Sequence, residues 1–413
     1  MNEQGGPLSG VVIVALEQAV SAPMCTRTLA DLGARVIKIE NPRGGDFART
    51  YDDVVHGTSA HFTWANRGKE SVTLNLKSAE GMAVLRRLLE RADVLVSNLA
   101  PGVTAKLGLA PADLAERVPD LISLEIDGFG RGGPLSHKRA YDLLIQAESG
   151  ACAITGFPGV PVKPGPPLAD VTCGLYAALT IMAMLRDRDR GVRRSEGARS
   201  GSVSLLDTMT EVMGYALTHA RHTGADTDPV GMGSPAVAPY GAYATRDGFH
   251  VVLGTTNDRE WQRLALQLLA RPDLAADERY ATNARRSAPA ARGELDAAIG
   301  AWCAAHDLDE IQALADKANI GNSRLNRPTE VVEHPHLVER GRLQEVDVPG
   351  GTTRAFLPPP VIAGYTAPMR AVPALGGDTD TVLAELGFDD TEIAALREAG
   401  GIGPDPRSAA DRG

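Results

Sequence analysis

Short apolar runs alternate with amphipathic stretches along the first part of the chain. A continuous run of four to eight β-branched and aliphatic residues is typical of a strand that is buried on both faces. Strand–helix alternation of this kind predicts an α/β fold with a doubly wound, mostly parallel sheet. Strands are predicted at Val11–Leu16, Arg35–Glu40, Ser71–Leu76, Asp93–Ser97 and Leu121–Glu125, and helices at Pro23–Leu32, Ala79–Ala92 and Pro111–Val118.

A long uncharged stretch, Val171–Leu185, is apolar nearly all round and predicts a helix buried in a core. Three chain-breaking residues, Gly165-Pro166-Pro167, stand before it, so the helix is expected to begin close to them. Asp170 lies at its entrance. Burying a bare carboxylate is costly, whereas a helix N-terminus favours the ionised form. Asp170 is therefore either an N-cap or a positioned nucleophile.

The later part of the chain changes character after a charged link, Arg186–Ser200. A strand at Ser202–Leu206 and a helix at Met209–His222 are expected next, and a hairpin pattern between Tyr243 and Leu253 opens a second unit. We predict a large domain formed by residues 1–205 with 335–413, a smaller α+β domain over 224–330, and linkers at 206–223 and 331–345. Two further helices are expected at Thr379–Glu385 and Asp390–Glu398.

The composition of the chain argues against several classes of binding partner. The net charge of −10 argues against nucleic acid as a partner, although a local basic lining could still bind a small anion. Four widely spaced cysteines indicate neither a disulfide framework nor a zinc site, and the nine histidines form no ligand cluster. With no signal-peptide pattern, and with Gly174–Leu185 too short to span a bilayer, we expect a cytoplasmic protein with no metal and no membrane partner.

Several common catalytic motifs are missing from the sequence. The residues after the first predicted strand, Glu17-Gln18-Ala19-Val20, lack the G-x-G-x-x-G pattern of a dinucleotide site. The chain also lacks a P-loop, an H-E-x-x-H motif and a G-x-S-x-G elbow. The parallel sheet is thus not expected to bind a nicotinamide cofactor, and a serine hydrolase is disfavoured.

A series of blocks resembles one family in order and over nearly the whole chain. The blocks are residues 7–17, 29–40, 66–77, 92–102 and 141–150, then Asp170 with Gly174, then residues 375–387. They resemble the class III coenzyme A transferases of the CaiB/BaiF type, which include formyl-CoA transferase, carnitine CoA-transferase and the α-methylacyl-CoA racemases. The resemblance implies a Rossmann-like CoA-binding domain and an interlocked homodimer. CoA would enter as a substrate, without a prosthetic group.

The resemblance also assigns roles to individual residues. Asp170 aligns with the catalytic aspartate, and Tyr141 lines the acyl pocket or the cleft wall. Glu17 and Gln18 follow the carboxyl end of the first predicted strand, and from this position either could orient the acyl group or serve the structure. Arg49 could pair with a second carboxylate of the substrate or lie on the surface. Six further positions align with CoA contacts, to adenine, cleft or phosphates: Leu74, Lys77, Asn98, Leu99, Lys106 and Arg139. Asn41 stands where the family commonly has an arginine, and Arg43 could substitute for it from two residues on.

The implied reaction moves CoA from an acyl-CoA to a small carboxylic acid through an aspartyl anhydride and an enzyme–CoA thioester. Glycine loops such as Gly231–Gly233 could supply oxyanion donors. One alternative is a 2-methylacyl-CoA racemase, which needs a base on each face of the enolate. Tyr141 stands where that branch has a histidine, and a tyrosine pKa of about 10 makes it a poor base. The other alternative is a non-catalytic CoA-binding protein.

Overall fold

The computed structural model describes residues 5–193 and 199–405. These residues form two compact units. The first comprises the described parts of Met1–Ser149, Gly165–Met213 and Leu337–Gly413, and the second comprises Gly150–Pro164 and Gly214–His336. The strands are β1 Val12–Leu16, β2 Arg35–Glu40, β3 Lys69–Thr73, β4 Val94–Ser97, β5 Ile122–Asp127, β6 Gly156–Phe157, β7 Val160–Pro161, β8 Arg199–Ser204, β9 Tyr240–Ala244, β10 His250–Gly254, β11 Gly321–Arg324, β12 Leu343–Val348 and β13 Gly351–Phe356.

Helices connect and cover these strands. Some begin at clear signals in the sequence: the Ser78 hydroxyl, for example, accepts a hydrogen bond from the Gly81 N–H at the start of α3. The helices are α1 Ser21–Ala30, α2 Ala60–Asn66, α3 Ala79–Leu89, α4 Val103–Lys106, α5 Pro111–Arg117, α6 Asp142–Glu148, α7 Ala151–Ile154, α8 Leu168–Asp189, α9 Leu205–Val212, α10 Gly214–Thr223, α11 Asp258–Arg263, α12 Pro272–Ala276, α13 Asn283–Arg286, α14 Pro289–Cys303, α15 Leu308–Lys317, α16 Pro328–Val331, α17 Pro335–Glu339, α18 Thr379–Glu385 and α19 Asp390–Glu398.

The first unit is built on a six-stranded sheet in the order β3-β2-β1-β4-β5-β8. Every neighbouring pair is parallel; in the centre, Val14 of β1 aligns with Ile37 of β2 and with Leu95 of β4. The chain builds outward from β1 to β3 and then returns to place β4 on the other side of β1. Ligands of such sheets bind at this switch point, beyond the carboxyl ends of the strands. The predicted α/β class with a parallel sheet is confirmed.

Some predicted elements differ from the structure at their ends. β3 begins at Lys69 and not at Ser71, and the helix expected over 209–222 is divided at Met213 into α9 and α10. β8 ends at Ser204 because the Ser204 hydroxyl accepts a hydrogen bond from the Asp207 N–H and caps α9. Within the predicted charged link, α8 continues to Asp189, and residues 194–198 lie outside the described residues.

Helix α8 is longer and more exposed than its apolar sequence predicts. Its 22 residues make it long and apolar enough to cross a bilayer by length and composition alone. One face is buried and contacts α1, and this face includes Cys173, Gly174 and Ile181. On another face Leu175 is 48% exposed and Leu179 is 57% exposed. The expectation of a helix buried on all sides is therefore wrong for the single chain.

The second unit carries a three-stranded antiparallel sheet in the order β11-β10-β9. Its core contains Trp261 and Tyr280, whose rings meet edge to face with centroids 6.1 Å apart. The division between the units falls at Met213 and His336, inside the two stretches predicted as linkers. Residues 150–164 belong to this second unit, where the Gly231 N–H donates to the Gly156 carbonyl at 2.7 Å.

Candidate active site

A cleft of about 320 Å³ opens in the first unit beyond the carboxyl ends of β1, β4 and β5. β1 and β4 are the neighbours at which the sheet changes direction, so the cleft lies where doubly wound sheets bind their ligands. Most of its lining residues come from the ends of these strands and the loops that follow them, from the segment before α6 and from the start of α8, while Phe47 follows β2 and Leu205 begins α9. They are Gln18, Ala19, Ser21, Phe47, Asn98, Leu99, Ala100, Pro101, Ile126, Asp127, Gly128, Lys138, Arg139, Ala140, Tyr141, Asp170 and Leu205.

Asp170 lines this cleft from the first turn of α8, where it is the third helical residue. The N-cap position belongs to Pro167, and the capping carboxylate is that of Asp142, whose Oδ1 accepts from the Ala169 and Asp170 N–H groups at 3.0 and 3.4 Å. The structure thus gives the capping role to Asp142. The helix dipole favours an ionised Asp170, as a nucleophilic carboxylate requires.

Other potential nucleophiles beside Asp170 are held in their neutral forms. Burial raises the pKa of Cys173 to about 12, and the charge of Asp170 acts in the same direction. Burial also raises the pKa of Cys25 well above that of an ordinary thiol. Since the thiolate is the reactive form of cysteine, neither side chain is a competing nucleophile at neutral pH.

Asp127 is a second carboxyl group in the cleft, and the sequence did not single it out. Burial and the charges of Asp207 and Glu125 raise its pKa, against a hydrogen bond from the Gly130 N–H. Asp127 is consequently a weaker candidate for an ionised nucleophile, although it lies in the same cleft.

The turn after β1 is fixed by the side chain of Asn98. Asn98 Oδ1 accepts from the Gln18 N–H at 2.9 Å, and Asn98 Nδ2 donates to the Gln18 carbonyl at 2.8 Å. No hydrogen bond to the Gln18 side-chain amide is found among the described residues, and this side chain lines the cleft. Gln18 therefore offers a donor to a ligand, and Asn98 holds the backbone that carries it.

Two consecutive cations, Lys138 and Arg139, line the cleft and are both exposed. Arg139 was predicted as a phosphate contact, whereas Lys138 was missed although it is its immediate neighbour in the sequence. Lys138 lies 3.9 Å from Glu148, a surface ion pair of small energetic value. Lys138 and Arg139 together can bind a phosphate group or a second carboxylate of the substrate.

Aromatic side chains form another part of the cleft wall. Tyr141, a predicted pocket residue, lines the cleft and is 57% exposed, and Phe47 lines it as well. Phe47 lies 5.9 Å from the ring of Tyr51. Burial and the charges of Asp46 and Asp170 raise the pKa of Tyr51, so its hydroxyl remains protonated near the nucleophile candidate.

Four predicted CoA contacts do not line the cleft. Leu74 is buried in the core, while Lys77, Lys106 and Arg43 are exposed elsewhere on the first unit. The assignment of these four residues as CoA contacts stays a prediction.

Three other suggestions from the sequence do not fit the contacts found. Glu17 is buried and accepts hydrogen bonds from Thr26 Oγ1 at 2.6 Å and Lys69 Nζ at 2.7 Å, so it cannot orient a substrate in the cleft. Arg49 is paired with Glu40 through two hydrogen bonds of 2.8 and 2.7 Å, so it is not available for a substrate carboxylate.

The N–H groups of the glycine loop at 231–233 already donate to backbone carbonyls. Gly231 N–H donates to the Gly156 carbonyl at 2.7 Å and Gly233 N–H donates to the Val230 carbonyl at 3.0 Å, both within the second unit. These two donors are therefore not open to an oxyanion. The described residues contain no group of three or more His, Cys, Asp or Glu side chains suited to a metal ion.

The sequence model of CoA-transferase family III matches residues 8–379 of this chain. The chain is 33% identical to succinate–glutarate CoA-transferase of Agrobacterium fabrum, covering 92% of this chain and 96% of the relative. It is 35% identical to acetyl-CoA:oxalate CoA-transferase of Acetobacter aceti, covering 88% and 91%. A solved structure of a CaiB/BaiF family protein from Brucella suis is 30% identical, covers 93% of this chain and 100% of that one, and superimposes with a TM-score of 0.79.

Proposed function

Because this chain belongs to CoA-transferase family III, we propose that Asp170 is the group that carries first the acyl residue and then CoA between two substrates. The observation that supports this role is the position of Asp170 on the first turn of α8, in the cleft that also holds Gln18 and the Lys138–Arg139 pair. A helix N-terminus favours a negative charge on its first turn, and the cations of the cleft attract anionic substrates.

The reaction then proceeds through two exchanges at Asp170. Its carboxylate attacks the thioester carbonyl of the donor acyl-CoA, forming a mixed anhydride and releasing CoA thiolate. The thiolate attacks the aspartyl carbonyl carbon, forming an enzyme–CoA thioester and releasing the donor acid as its carboxylate. The acceptor carboxylate attacks that thioester and again forms an anhydride and CoA thiolate, and the thiolate then attacks the acceptor acyl carbon. The products are the new acyl-CoA and a regenerated Asp170, so no proton or redox equivalent is left over.

Each tetrahedral intermediate needs a hydrogen-bond donor for its oxyanion. We assign this task to the Gln18 side-chain amide, which lines the same cleft as Asp170 and whose backbone is held by Asn98. The anhydride and the thioester are both sensitive to water, so the apolar wall that includes Phe47, Leu99 and Tyr141 has the role of limiting hydrolysis.

The acceptor is proposed to be a small dicarboxylic acid. The names of relatives at 30–35% identity include succinate, glutarate, oxalate and D-citramalate as acids. In this chain, Lys138 and Arg139 give the cleft two cations, and a second carboxylate is one anion that they can pair with.

Epimerisation at the α-carbon is not favoured by the cleft. That reaction needs a base on each face of the enolate, and the cleft presents Tyr141 at the position where the racemase branch of the family has a histidine. Solvent deuterium should therefore not enter the α-carbon of 2-methylacyl-CoA in the presence of the enzyme.

The protein is further proposed to work as a homodimer. Leu175, Tyr176 and Leu179 leave an apolar face of α8 exposed in the single chain, and large exposed apolar faces mark interaction sites. Sedimentation velocity should show a dimer, and a monomer at micromolar concentration would contradict this part of the proposal.

Trapping the enzyme during turnover tests the role of Asp170. Incubation with succinyl-CoA should add the mass of CoA less one water to the intact protein, and borohydride should reduce that thioester at residue 170. Asp170→Asn should give no adduct, whereas the matched variant Asp127→Asn, which changes the other carboxylate of the cleft, should still give one. A label that maps to Asp127, or turnover of succinyl-CoA with glutarate without any label, would refute the assignment.

A further inference from the structure

The Gln18–Ala19 turn is held in an unusual backbone conformation beside the cleft. Ala19 has a φ of 62°, in the left-handed region that residues with a Cβ rarely adopt. Such a conformation persists only where the surrounding structure over-determines it. The Gln18 side of the turn is held by Asn98, and the Ala19 N–H donates to Asp46 Oδ1 at 3.1 Å.

Asp46 connects this turn to another segment of the cleft wall. The same Oδ1 also accepts from the Ala48 N–H at 2.9 Å, which caps the short 3₁₀ turn that begins at Phe47. Asp46 is 1% exposed, and Ala19 and Phe47 both line the cleft. One buried carboxylate therefore ties together two of the segments that shape the site.

The other oxygen of Asp46 is committed to a buried lysine. Lys38 Nζ lies 2.8 Å from Asp46 Oδ2 and 3.4 Å from Glu17 Oε1, and the Lys38 side chain is fully buried. Because the Lys38 ammonium holds Oδ2, Oδ1 is the oxygen of Asp46 that faces the Ala19 N–H. The surrounding set is balanced, with the three carboxylates of Glu17, Glu40 and Asp46 against the three cations of Lys38, Lys69 and Arg49.

We propose that Asp46 is a positioning residue of the transferase: through its Oδ1 it clamps the left-handed Ala19 turn and so fixes where Gln18 stands in the cleft. This arrangement, the Asp46 clamp, rests on the proposed function for its catalytic consequence. Its structural part, the protection of the Ala19 N–H, holds independently of the reaction. Asp46 itself does not line the cleft, so it acts through the turn and not on the substrate.

Two double variants of the full-length protein separate the clamp from the charge network. Asp46→Asn with Lys38→Met and Asp46→Ala with Lys38→Met both remove one carboxylate and one cation, so both leave Glu17 and Glu40 balanced by Lys69 and Arg49. The Asn variant keeps an oxygen that can accept from Ala19, and the Ala variant has none. The two proteins thus differ in the clamp while sharing the change in buried charge.

The measurements are amide hydrogen exchange and steady-state transfer from succinyl-CoA to glutarate. In the Ala variant we expect faster exchange in the peptide containing residues 18–20, and a kcat about 10- to 100-fold below that of the Asn variant, because small misplacements in an active site have effects of this size. KM for succinyl-CoA should change by less than about threefold, since the clamp orients the Gln18 amide and does not itself bind the substrate.

Equal kcat values in the two variants would overturn the proposal, as would unchanged exchange at residues 18–20. Faster exchange confined to residues 47–51 would also overturn it, because Asp46 would then only cap the short helix. If wild-type protein fails to transfer CoA with any acid, the proposed function fails, while the exchange data still decide whether the clamp exists. Should the Ala variant not fold, it is replaced by the double variant Asp46→Ser with Lys38→Met. The serine side chain is shorter than that of aspartate, so its hydroxyl is too short to reach the Ala19 N–H.

Discussion

Glu17 and Asp170 are both carboxylates near the carboxyl end of β1, yet the fold places them in opposite environments. Glu17 is 2% exposed and has Thr26, Lys38 and Lys69 as partners, whereas Asp170 stands at a helix N-terminus in an open cleft. The charge of Glu17 is balanced inside the protein and serves stability. Asp170 is placed where a ligand can reach it. Burial, and not residue type, separates the structural carboxylate of Glu17 from the carboxylate of Asp170 that we propose to be reactive.

The largest expected effect is on Asp170, the member of this pair that we propose to be reactive. Asp170→Asn should lower the kcat for CoA transfer by about 10³-fold or more, as removal of a covalent nucleophile does. The free energy of unfolding should fall by only about 0.3–1 kcal/mol, the usual value of a charge at a helix N-terminus. Transfer assays with succinyl-CoA and glutarate, together with urea unfolding, check both values. Activity close to that of wild type would remove the contrast with Glu17.

The opposite result is expected for the structural member. Glu17→Gln leaves two buried ammonium groups with one fewer carboxylate, and such a broken pair should lower the free energy of unfolding by about 3–5 kcal/mol. The matched control is Thr26→Val, which removes only the hydroxyl that donates to Glu17 and should cost about 1–3 kcal/mol. Urea unfolding measures both variants, and an unaffected Glu17→Gln protein would show that the network is not a source of stability.

Acid should weaken the same buried network in a defined pH range. Burial by itself raises the pKa of Glu40, but the hydrogen bonds from Arg49 and the charge of Lys38 outweigh it and lower the pKa to about 2. Because the folded-state pKa lies below the unfolded value of 4.5, the stabilisation is complete above pH 4.5 and is lost as the pH falls toward 2. The loss should be about 3 kcal/mol.

Urea unfolding as a function of pH tests this effect, with Glu40→Gln as the control. The variant should show a flatter decline than wild type between pH 4.5 and 2. Parallel curves for the two proteins would mean that Glu40 is not the titrating group.

The smallest expected effect concerns the contact between α1 and α8, at Gly174. A Cβ at Gly174 would stand 2.5 Å from the Ser21 carbonyl oxygen and 2.9 Å from Met24 Cβ, so Gly174→Ala should push α8 away from α1. Overpacking of this kind costs about 1–3 kcal/mol. Because Asp170 lies one turn away on α8, kcat should also fall several-fold.

Ala183→Gly provides the matched control for Gly174→Ala. Ala183 is exposed on the same helix, and its replacement should cost about 0.5–1 kcal/mol through helix propensity alone, without a change in kcat. An equal loss of activity in both variants would attribute the effect of Gly174→Ala to a weaker helix and not to displaced packing.

The amino-acid sequence by itself determined the local elements and the family. The β2 strand at Arg35–Glu40 and the helices at Thr379–Glu385 and Asp390–Glu398 have the predicted bounds, because apolar periodicity and capping residues act over a few positions. The same local signals identified the start of α8 to within a turn. The ordered blocks of sequence led to the CoA-transferase family, which the comparison with known proteins confirms.

Only the tertiary structure decided which charges meet. Glu17, Lys38, Asp46 and Lys69 are brought together by parallel crossovers that join residues up to 52 positions apart, and no local pattern encodes such pairing. Tertiary packing also paired Arg49 with Glu40, placed Lys138 in the cleft and gave the capping of α8 to Asp142. Hydrophobic periodicity specifies which face of an element is buried, but the partner of a buried charge is set by how the elements pack.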